Sequence, residues 1–372
     1  MPQARRIPHV GDLQDYNHAV AGHAGTLCDS EGMLFCKPCT ETELRFYEET
    51  LIKHPELARH MPEFIGSLRL QTPGNPNIGE TVAGLALKDG SQAETEAIIE
   101  SVTEELVNAS RELQPEDNTT WVPSQGNKIK TDKAAVLENL TYSYTRPNVL
   151  DVKLGRRLYA DDAPLEKKRR LEQISLETTH HKYSFRIAGM RTFRGSEDAS
   201  ELDDEEYKIY DKEYGRTTVN EHNVVHALWR FVFNPGAGID IPTAQTVCRC
   251  FAKALDALIK VLKNIEIRMY SASILFVFEG DGNTLQDALR RQQACADGRL
   301  SPPATKRIDS GIGLDDGDVK PEAEPQQVIT AKLIDFAHAE HTPGQGPDEN
   351  VINGLQSLKD MFEHMGKRNM AN

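Results

Sequence analysis

The apolar positions of this chain change period several times, and each change marks an element. Around Gly22, Gly25 and Gly32 a strand-like pair forms an expected hairpin, and in the following "TETELRFYEETLIKHPELA" Leu44, Tyr47 and Leu51 recur at helical spacing. "AAVLENLTY" and "RPNVLDVKLGRR", residues 146–157, read as strands. A Lys/Arg-rich helix is predicted over about 164–178, with Pro164 suited to its first turn, and strand-like pieces lie near 185–194. "NEHNVVHALWRFVF" and the stretch 243–265 are helical in period, whereas "MYSASILFVFEG" is a dense apolar run of β-favouring residues, expected as a buried strand. "VITAKLIDFAH" predicts another strand and "NVINGLQSLKDMFEHM" a closing helix.

Three polar stretches interrupt this pattern. Residues 72–120 are bracketed by "TPGNPNIGE" and "LQPEDNTT" and read as an insertion, with a helix expected in "SQAETEAIIESVTEELVNAS". "GSEDASELDDEEY", 195–207, is acidic and low in apolar residues, so a solvated, disordered loop is expected over 195–206. Residues 281–328, which include "RLSPPATKRIDSGIGLDDGDVKPEAEPQQ", are expected to be disordered as well.

A length of 372 residues allows one large core or two modest ones, and 38% hydrophobic content fits a folded body carrying polar insertions. With 57 acidic against 43 basic residues the formal charge is −14, which argues against duplex-phosphate binding as the main task, and no direct nucleic-acid partner is expected. A local basic pocket is compatible with that total. There is no run of about 18 apolar residues, and "MPQARRIPHVGDLQDYNH" lacks the apolar core of a signal peptide, so a soluble intracellular protein without a membrane span is expected. Six cysteines in so long a chain do not make a disulfide framework. Cys36 and Cys39 form a C-x-x-C and Cys248 and Cys250 a C-x-C; redox or zinc chemistry is open to the first pair, but small apolar fillers are the favoured reading.

The candidate chemistry starts in "VLDVKLG". Alternation along a strand points Leu150, Val152 and Leu154 one way and Val149, Asp151 and Lys153 the other, so the charged pair faces a cleft. Taken alone such a pair is more often a surface ion pair than a catalytic device. Asp335 in "KLIDFAHAE" sits where a strand leaves the core; it suits a hard cation such as Mg²⁺, although a turn or cap Asp is the commoner case. Lys37 in "MLFCKPC" leaves a strand beneath the glycine-containing hairpin, from where a lysine can reach nucleotide phosphates, while lone lysines mostly face water.

Together these stretches resemble the inositol polyphosphate kinase family. "PNVLDVKLG" matches its P-x-x-x-D-x-K-x-G signature through Pro147, Asp151, Lys153 and Gly155; "ASILF" is similar to its S-S-L-L element, with Ala272 in place of the first serine; and "IDFAH", 334–338, followed by "GPDENVINGLQSL" is similar to its metal-binding motif and closing segment. "HAVAGH", 18–23, and "MLFCKP", 33–38, resemble the ATP-side hairpin and lysine, and "AGMR" and "EYGRTT" fall in order between. The resemblance spans about residues 18–365 and breaks at the polar insertions.

The resemblance implies an α+β, two-lobed kinase with ATP between the lobes: an N-terminal lobe over 15–140 and a C-terminal catalytic lobe over 141–372, with a short inositol-phosphate-binding helical segment at about 162–182. It implies that Lys37 contacts the nucleotide phosphates, Glu138 and Leu140 bind adenine through their backbone, Asp151 holds the ribose, and Asp335 carries Mg²⁺ with Ser273 as a helper. Lys153 then bridges the γ-phosphate and the acceptor. A solvated helix face and a substrate site are both compatible with "EKKRR"; the resemblance favours Lys167 and Arg170 in the substrate site, joined by Arg191 and His338, and ranks Lys168 and Arg169 lower. The short stretch between Gly155 and Gly189 resembles the multikinase branch, of fungal type, which implies conversion of inositol trisphosphate to tetrakis- and pentakisphosphates, with phosphoinositide lipids as side substrates. Hexakisphosphate kinase and trisphosphate 3-kinase activities are the alternatives. A further expectation is a scaffold role toward transcription-complex proteins through the acidic segment, in the nucleus and cytoplasm.

Overall fold

The computed structural model describes residues 8, 13–16, 25–69, 131, 133–299 and 327–367, all within one compact unit. The expected insertion at 72–120, most of the "HAVAGH" hairpin and residues 300–326 lie outside the described residues. Two five-stranded antiparallel sheets organise the rest. The first has the order β1-β2-β3-β5-β4, built from β1 (Gln14–Asp15), β2 (Leu27–Cys28), β3 (Leu34–Pro38), β4 (Phe64–Arg69) and β5 (Lys133–Glu138). Between β3 and β4 run the helix α1 (Glu41–Lys53) and the single turn α2 (Pro55–Ala58). In α1, Leu44 and Tyr47 are buried as their spacing predicts, but Leu51 remains 45% exposed.

The second sheet has the order β11-β10-β6-β7-β8. Its members are β6 (Pro147–Leu154), β7 (Phe185–Phe193), β8 (Tyr207–Tyr210), β10 (Ser273–Glu279) and β11 (Ile329–Ile334). β6 lies at the centre, and so both of its faces are covered: Leu150, Val152 and Leu154 are fully buried on one, Val149 and Asp151 on the other. α3 (Leu165–Glu177) and α4 (His180–Tyr183) connect β6 to β7. Pro164 stands just outside α3, as its N-cap residue rather than in the first turn. A π-turn, Tyr214–Thr218, follows β8; then come α5 (Val224–Val232), α6 (Ile241–Leu262) and β9 (Ile267–Met269), with α7 (Gly282–Ala296) after β10. β12 (Ala339–His341) pairs with β9, and α8 (Glu349–Lys367) closes the chain against α6. Phe251 in α6 anchors the core, meeting Phe276 of β10 edge-on at 5.0 Å and Phe362 of α8 at 5.3 Å.

Two expectations of disorder are corrected. Residues 282–296 are helical because Asp281 caps the helix, its Oδ1 accepting from Thr284 N at 2.9 Å, and because Leu285 and Ala288, one turn apart, are buried in the core. The acidic stretch 195–206 is exposed, as expected, yet ordered. Asp198 caps a 3₁₀ turn over Ala199–Glu201, Lys208 of β8 pairs with Glu201 at 2.9 Å, and Arg194 pairs with Glu206 at 2.9 Å. Basic residues on the flanking strands supply the order that the loop's own composition lacks.

Gly282, at the start of α7, packs so tightly that an added Cβ would collide with the Gly238 carbonyl. Gly282→Ala should therefore cost about 1–3 kcal/mol, as overpacking does, and lower the melting temperature by a few degrees in a thermal scan. An unchanged melting curve would mean that α7 is not seated on the 235–238 turn.

Candidate active site

Lys37 is near the end of β3, on the sheet face it shares with Phe35. Thr40 then caps α1, its hydroxyl accepting from Glu43 N at 3.3 Å, and this start places Glu43 in the first turn, directly beneath Lys37. Lys37 Nζ donates to Glu43 Oε1 and to Asp335 Oδ1, each at 2.7 Å. Burial opposes its charge, but Asp335 and Glu43 outweigh that and hold its pKa well above the usual lysine value. Glu43 also accepts from the backbone N–H of Phe336 at 3.1 Å, and the Phe336 ring packs on Phe46 and Tyr47 of α1. One helix thus grips both the lysine of the first sheet and the turn that carries Asp335.

Asp335 follows β11 directly, with φ +66°, a left-handed conformation uncommon for a residue with a Cβ. Across the second sheet Ile334 pairs with Ser273 and Ser273 with Lys153, so three adjacent strands bring their polar ends together. Lys153 Nζ lies 3.3 Å from Asp335 Oδ2 and 3.3 Å from Ser273 Oγ. The Ser271 hydroxyl, just before Ala272, donates to Leu158 O at 2.8 Å. Asp151 is buried beside this group, and its Oδ1 has no hydrogen-bond partner. Burial raises its pKa, Lys153 draws it back, and Asp335 pushes it up again.

A second, cationic group adjoins the first. Lys167 of α3 lies 3.1 Å from His338 Nε2, three residues beyond Asp335. Arg186 of β7 is paired in register with Lys153. Burial and then Arg216 bring the Arg186 pKa down to about 10, and the same two causes lower Arg170. Burial and Arg170 lower Lys167; burial and Lys167 lower His338. Each of these cations is destabilised by another, which marks a place shaped for anions. Arg216 is presented by the π-turn over β7, where Gly215 passes so close to the Ile187 carbonyl that no Cβ would fit. Lys168 turns away to the Asp161 carbonyl at 2.6 Å.

The structure therefore brings together Lys37, Asp151, Lys153, Ser273 and Asp335, and beside them Lys167, Arg170 and His338. Arg191 stands apart from them: its guanidinium lies over the Tyr207 ring at 3.8 Å and pairs with Glu205 of the acidic loop at 2.5 Å. Glu138 and Leu140 lie at the connection between the sheets, which Asn139 fixes through its N–H to Met33 O at 2.9 Å and its Nδ2 to Gly32 O at 2.7 Å. The Glu138 side chain turns toward Lys332, 3.8 Å away, and lines a cavity of about 430 Å³ with Tyr47 and Phe64. Three residues of the site were not singled out from the sequence: Glu43, Arg186 and Arg216.

Among the described residues no three His, Cys, Asp or Glu side chains gather to hold a metal. The carboxylate of Asp335 and the hydroxyl of Ser273, opposite Ile334 on the neighbouring strand, are hard oxygen donors that fit a cation completing its shell with phosphate and water. Cys36 and Cys39 are buried free thiols, pushed up by burial to about 12 and about 11, as expected for fillers.

Two lobes of antiparallel sheet, a lysine–carboxylate network between them and a cationic pocket alongside define a kinase of the two-lobed, ATP-grasping class. Residues 134–363 match the family described as inositol polyphosphate kinase. The chain is 31% identical to the inositol polyphosphate multikinase of Saccharomyces cerevisiae over 95% of its own length and 98% of that protein's, and 26% identical to the Schizosaccharomyces pombe multikinase over 94% and 97%. It is 28% identical to mouse inositol hexakisphosphate kinase 3 over 64% of its length and 52% of that protein's. Among solved structures, that of the S. cerevisiae inositol phosphate multikinase in complex with ADP and Mn²⁺ superposes with a TM-score of 0.57 at 27% identity, covering 90% of this chain and 99% of that one. The chain belongs to the inositol polyphosphate kinase family, and its activity is that of an inositol phosphate kinase.

Glu43→Gln keeps an acceptor for Phe336 N–H but removes one of the two countercharges of Lys37. Kinase turnover should fall about 10- to 100-fold while circular dichroism shows a folded chain. Unchanged turnover would leave Glu43 a purely structural role.

Proposed function

We propose that this enzyme is a multikinase that uses Mg-ATP to phosphorylate inositol trisphosphate to the tetrakis- and pentakisphosphates. The observation that carries the reading is the double membership of Lys153. It touches Asp335 and Ser273 on the nucleotide side and is paired in register with Arg186 on the cationic side. A lysine so placed can follow charge from donor to acceptor, and phosphoryl transfer asks mainly for alignment and charge neutralisation.

The remaining roles follow from placement. Lys37, held by Glu43, meets the nucleotide phosphates, in the manner of a kinase lysine–glutamate pair. Backbone groups of Glu138 and Leu140 meet adenine, and the unpartnered oxygen of Asp151 accepts from a ribose hydroxyl. Asp335, with Ser273 nearby, carries Mg²⁺, which when bound neutralises phosphate charge. Lys167, Arg170, Arg186, Arg216 and His338 receive the phosphates of the acceptor; Arg191 is not among them.

The ADP and Mn²⁺ in the S. cerevisiae multikinase structure support the nucleotide and divalent-metal parts of this reading. The short connection between β6 and β7, the 13-residue α3 and the single turn α4, supports an open acceptor site that takes the ring in more than one orientation. Phosphoinositide headgroups share that chemistry and are proposed as side substrates. A scaffold role for the acidic loop draws less support, because Glu201, Asp203, Glu205 and Glu206 are already paired with Lys208, Arg191 and Arg194.

Incubating the protein with Mg-ATP and inositol tris-, tetrakis- or hexakisphosphate, then separating the products, tests the assignment. Turnover of the tris- and tetrakisphosphates is expected; turnover of hexakisphosphate alone would establish the pyrophosphate-forming alternative. Asp335→Asn should abolish at least about 99% of turnover in a chain that still melts cooperatively. Substantial activity of that variant at physiological Mg²⁺ would remove Asp335 from the metal site.

A further inference from the structure

Away from the charged cluster, the space between the sheets changes character. In β3, Phe35 shares the face of Lys37 and precedes it by two residues, about 7 Å along the strand toward the connection. Opposite, in β10, Ser273, Leu275 and Val277 share one face because they pair in turn with Lys153, Asp151 and Val149. Leu275 and Leu140 pack on the small cluster of Tyr144, Val149 and Val277 and stay only partly buried, as does Phe35. Apolar groups of both sheets thus face one slot beside the connection.

Tyr16 enters that slot from the end of β1. Its N–H donates to Thr26 O at 3.1 Å, continuing the pairing of β1 with β2, and its ring meets Phe35 edge-on with centroids 4.9 Å apart. Its hydroxyl lies 3.0 Å from Thr141 Oγ1 and 3.4 Å from Asn139 Oδ1. Burial raises the phenol to about 12 against the pull of its hydrogen bond with Thr141. One partly buried aromatic side chain therefore touches the first sheet and is tied to the connection.

From this placement we propose that Tyr16 is a nucleotide-binding residue that walls the base end of the cleft, presenting its ring to the purine while Thr141 and Asn139 hold its hydroxyl. The inference rests on the reading of the cleft as the ATP site. It follows from dimensions and chemistry: the phosphate-binding lysine and the connection bracket the slot, and the partly exposed groups between them are aromatic or aliphatic. A base stacked on an aromatic ring gains appreciably from the contact whatever the base.

Calorimetric titration with ADP, together with KM for ATP and for inositol trisphosphate, tests it on Tyr16→Ala and Tyr16→Phe. Tyr16→Ala should weaken ADP about 5- to 100-fold and raise KM for ATP in parallel, leaving KM for the trisphosphate unchanged. Tyr16→Phe keeps the ring and should lose only about 2- to 10-fold. A purely structural role would move both KM values together and show in the nucleotide-free melting curve. ADP affinity of Tyr16→Ala within twofold of wild type would overturn the proposal, and tighter binding would show instead that Tyr16 obstructs the slot. If Tyr16→Ala fails to fold, wild-type affinity in a folded Tyr16→Phe overturns the tether. Wild-type protein that binds no ADP at all would sink the reading of the cleft itself, a result separate from any effect of Tyr16.

Discussion

A buried ammonium group between two carboxylates on different elements is the constraint on which the rest of this structure turns. Lys37 belongs to the first sheet, Glu43 to the helix after it, and Asp335 to the end of a strand in the second sheet. Taking such a charge out of water costs several kcal/mol unless partners meet it, and removing one partner of a buried pair typically costs about 3–5 kcal/mol. The chain therefore cannot place its two sheets independently of each other. Glu43 tightens the arrangement because the same oxygen that meets Lys37 also accepts from Phe336 N–H, next to Asp335. The left-handed φ of Asp335 is held from both sides: by the pairing of β11 before it and by the Phe336 ring seated on α1 after it.

The cationic pocket obeys the opposite rule. With a formal charge of −14 the chain has acids in excess, yet burial and a neighbouring cation lower the pKa of Lys167, Arg170 and Arg186: Arg170 acts on Lys167, and Arg216 on both arginines. Arg216 has a close acid, Glu213 at 3.2 Å, while the acids of the 195–206 loop are engaged elsewhere: Asp203 and Glu205 with Arg191, and Glu201 with Lys208. Repulsion left in a folded protein is stability withheld, and an arriving polyanion recovers it as binding energy. The acidic loop thus spends its charge on Arg191, Arg194 and Lys208 and leaves the basic pocket with its excess of cations.

Much of this was legible in the sequence. The two-residue spacing of Asp151 and Lys153 has meaning only in a strand, and there it fixes a shared face without any tertiary information. Asp335 and His338 travel together in a short turn, so finding one locates the other. Glu43 was not legible, because nothing local distinguishes it from the other glutamates of "TETELRFYEET"; only the fold brings Phe336 to it. The interchange of Arg191 and Arg186 has a single geometric cause. Gly189 pairs with Asp151, and a regular ladder would then set Ile187 opposite Lys153; the irregularity between Asp151 and Val152 sets Arg186 there instead. A one-residue slip moves a side chain to the other face of a sheet. Arg191, before the slip, keeps its parity but stands at the opposite end, opposite Val149 and within reach of Tyr207. The order in the acidic loop and in α7 was hidden for another reason: the loop is held by basic residues just outside it, and α7 by the burial of Leu285 and Ala288 in the core, so neither segment's own composition shows it.

The two ends of the cleft also differ in what they can tolerate. At the strand ends the buried Lys37 and Asp151 and the half-buried Lys153 and Asp335 compensate one another, and no apolar group could replace one without stranding its partner. At the connection Phe35, Leu140 and Leu275 leave apolar surface partly exposed, which water solvates poorly. A ligand that was charged throughout would leave the second end unfilled, and one apolar throughout would strand the lysines of the first. A flat apolar ring joined to a polyanionic tail satisfies both. The mutual fit of those two halves across a single cleft restricts the donor to nucleotides more tightly than either half could alone, because each supplies the geometry the other lacks.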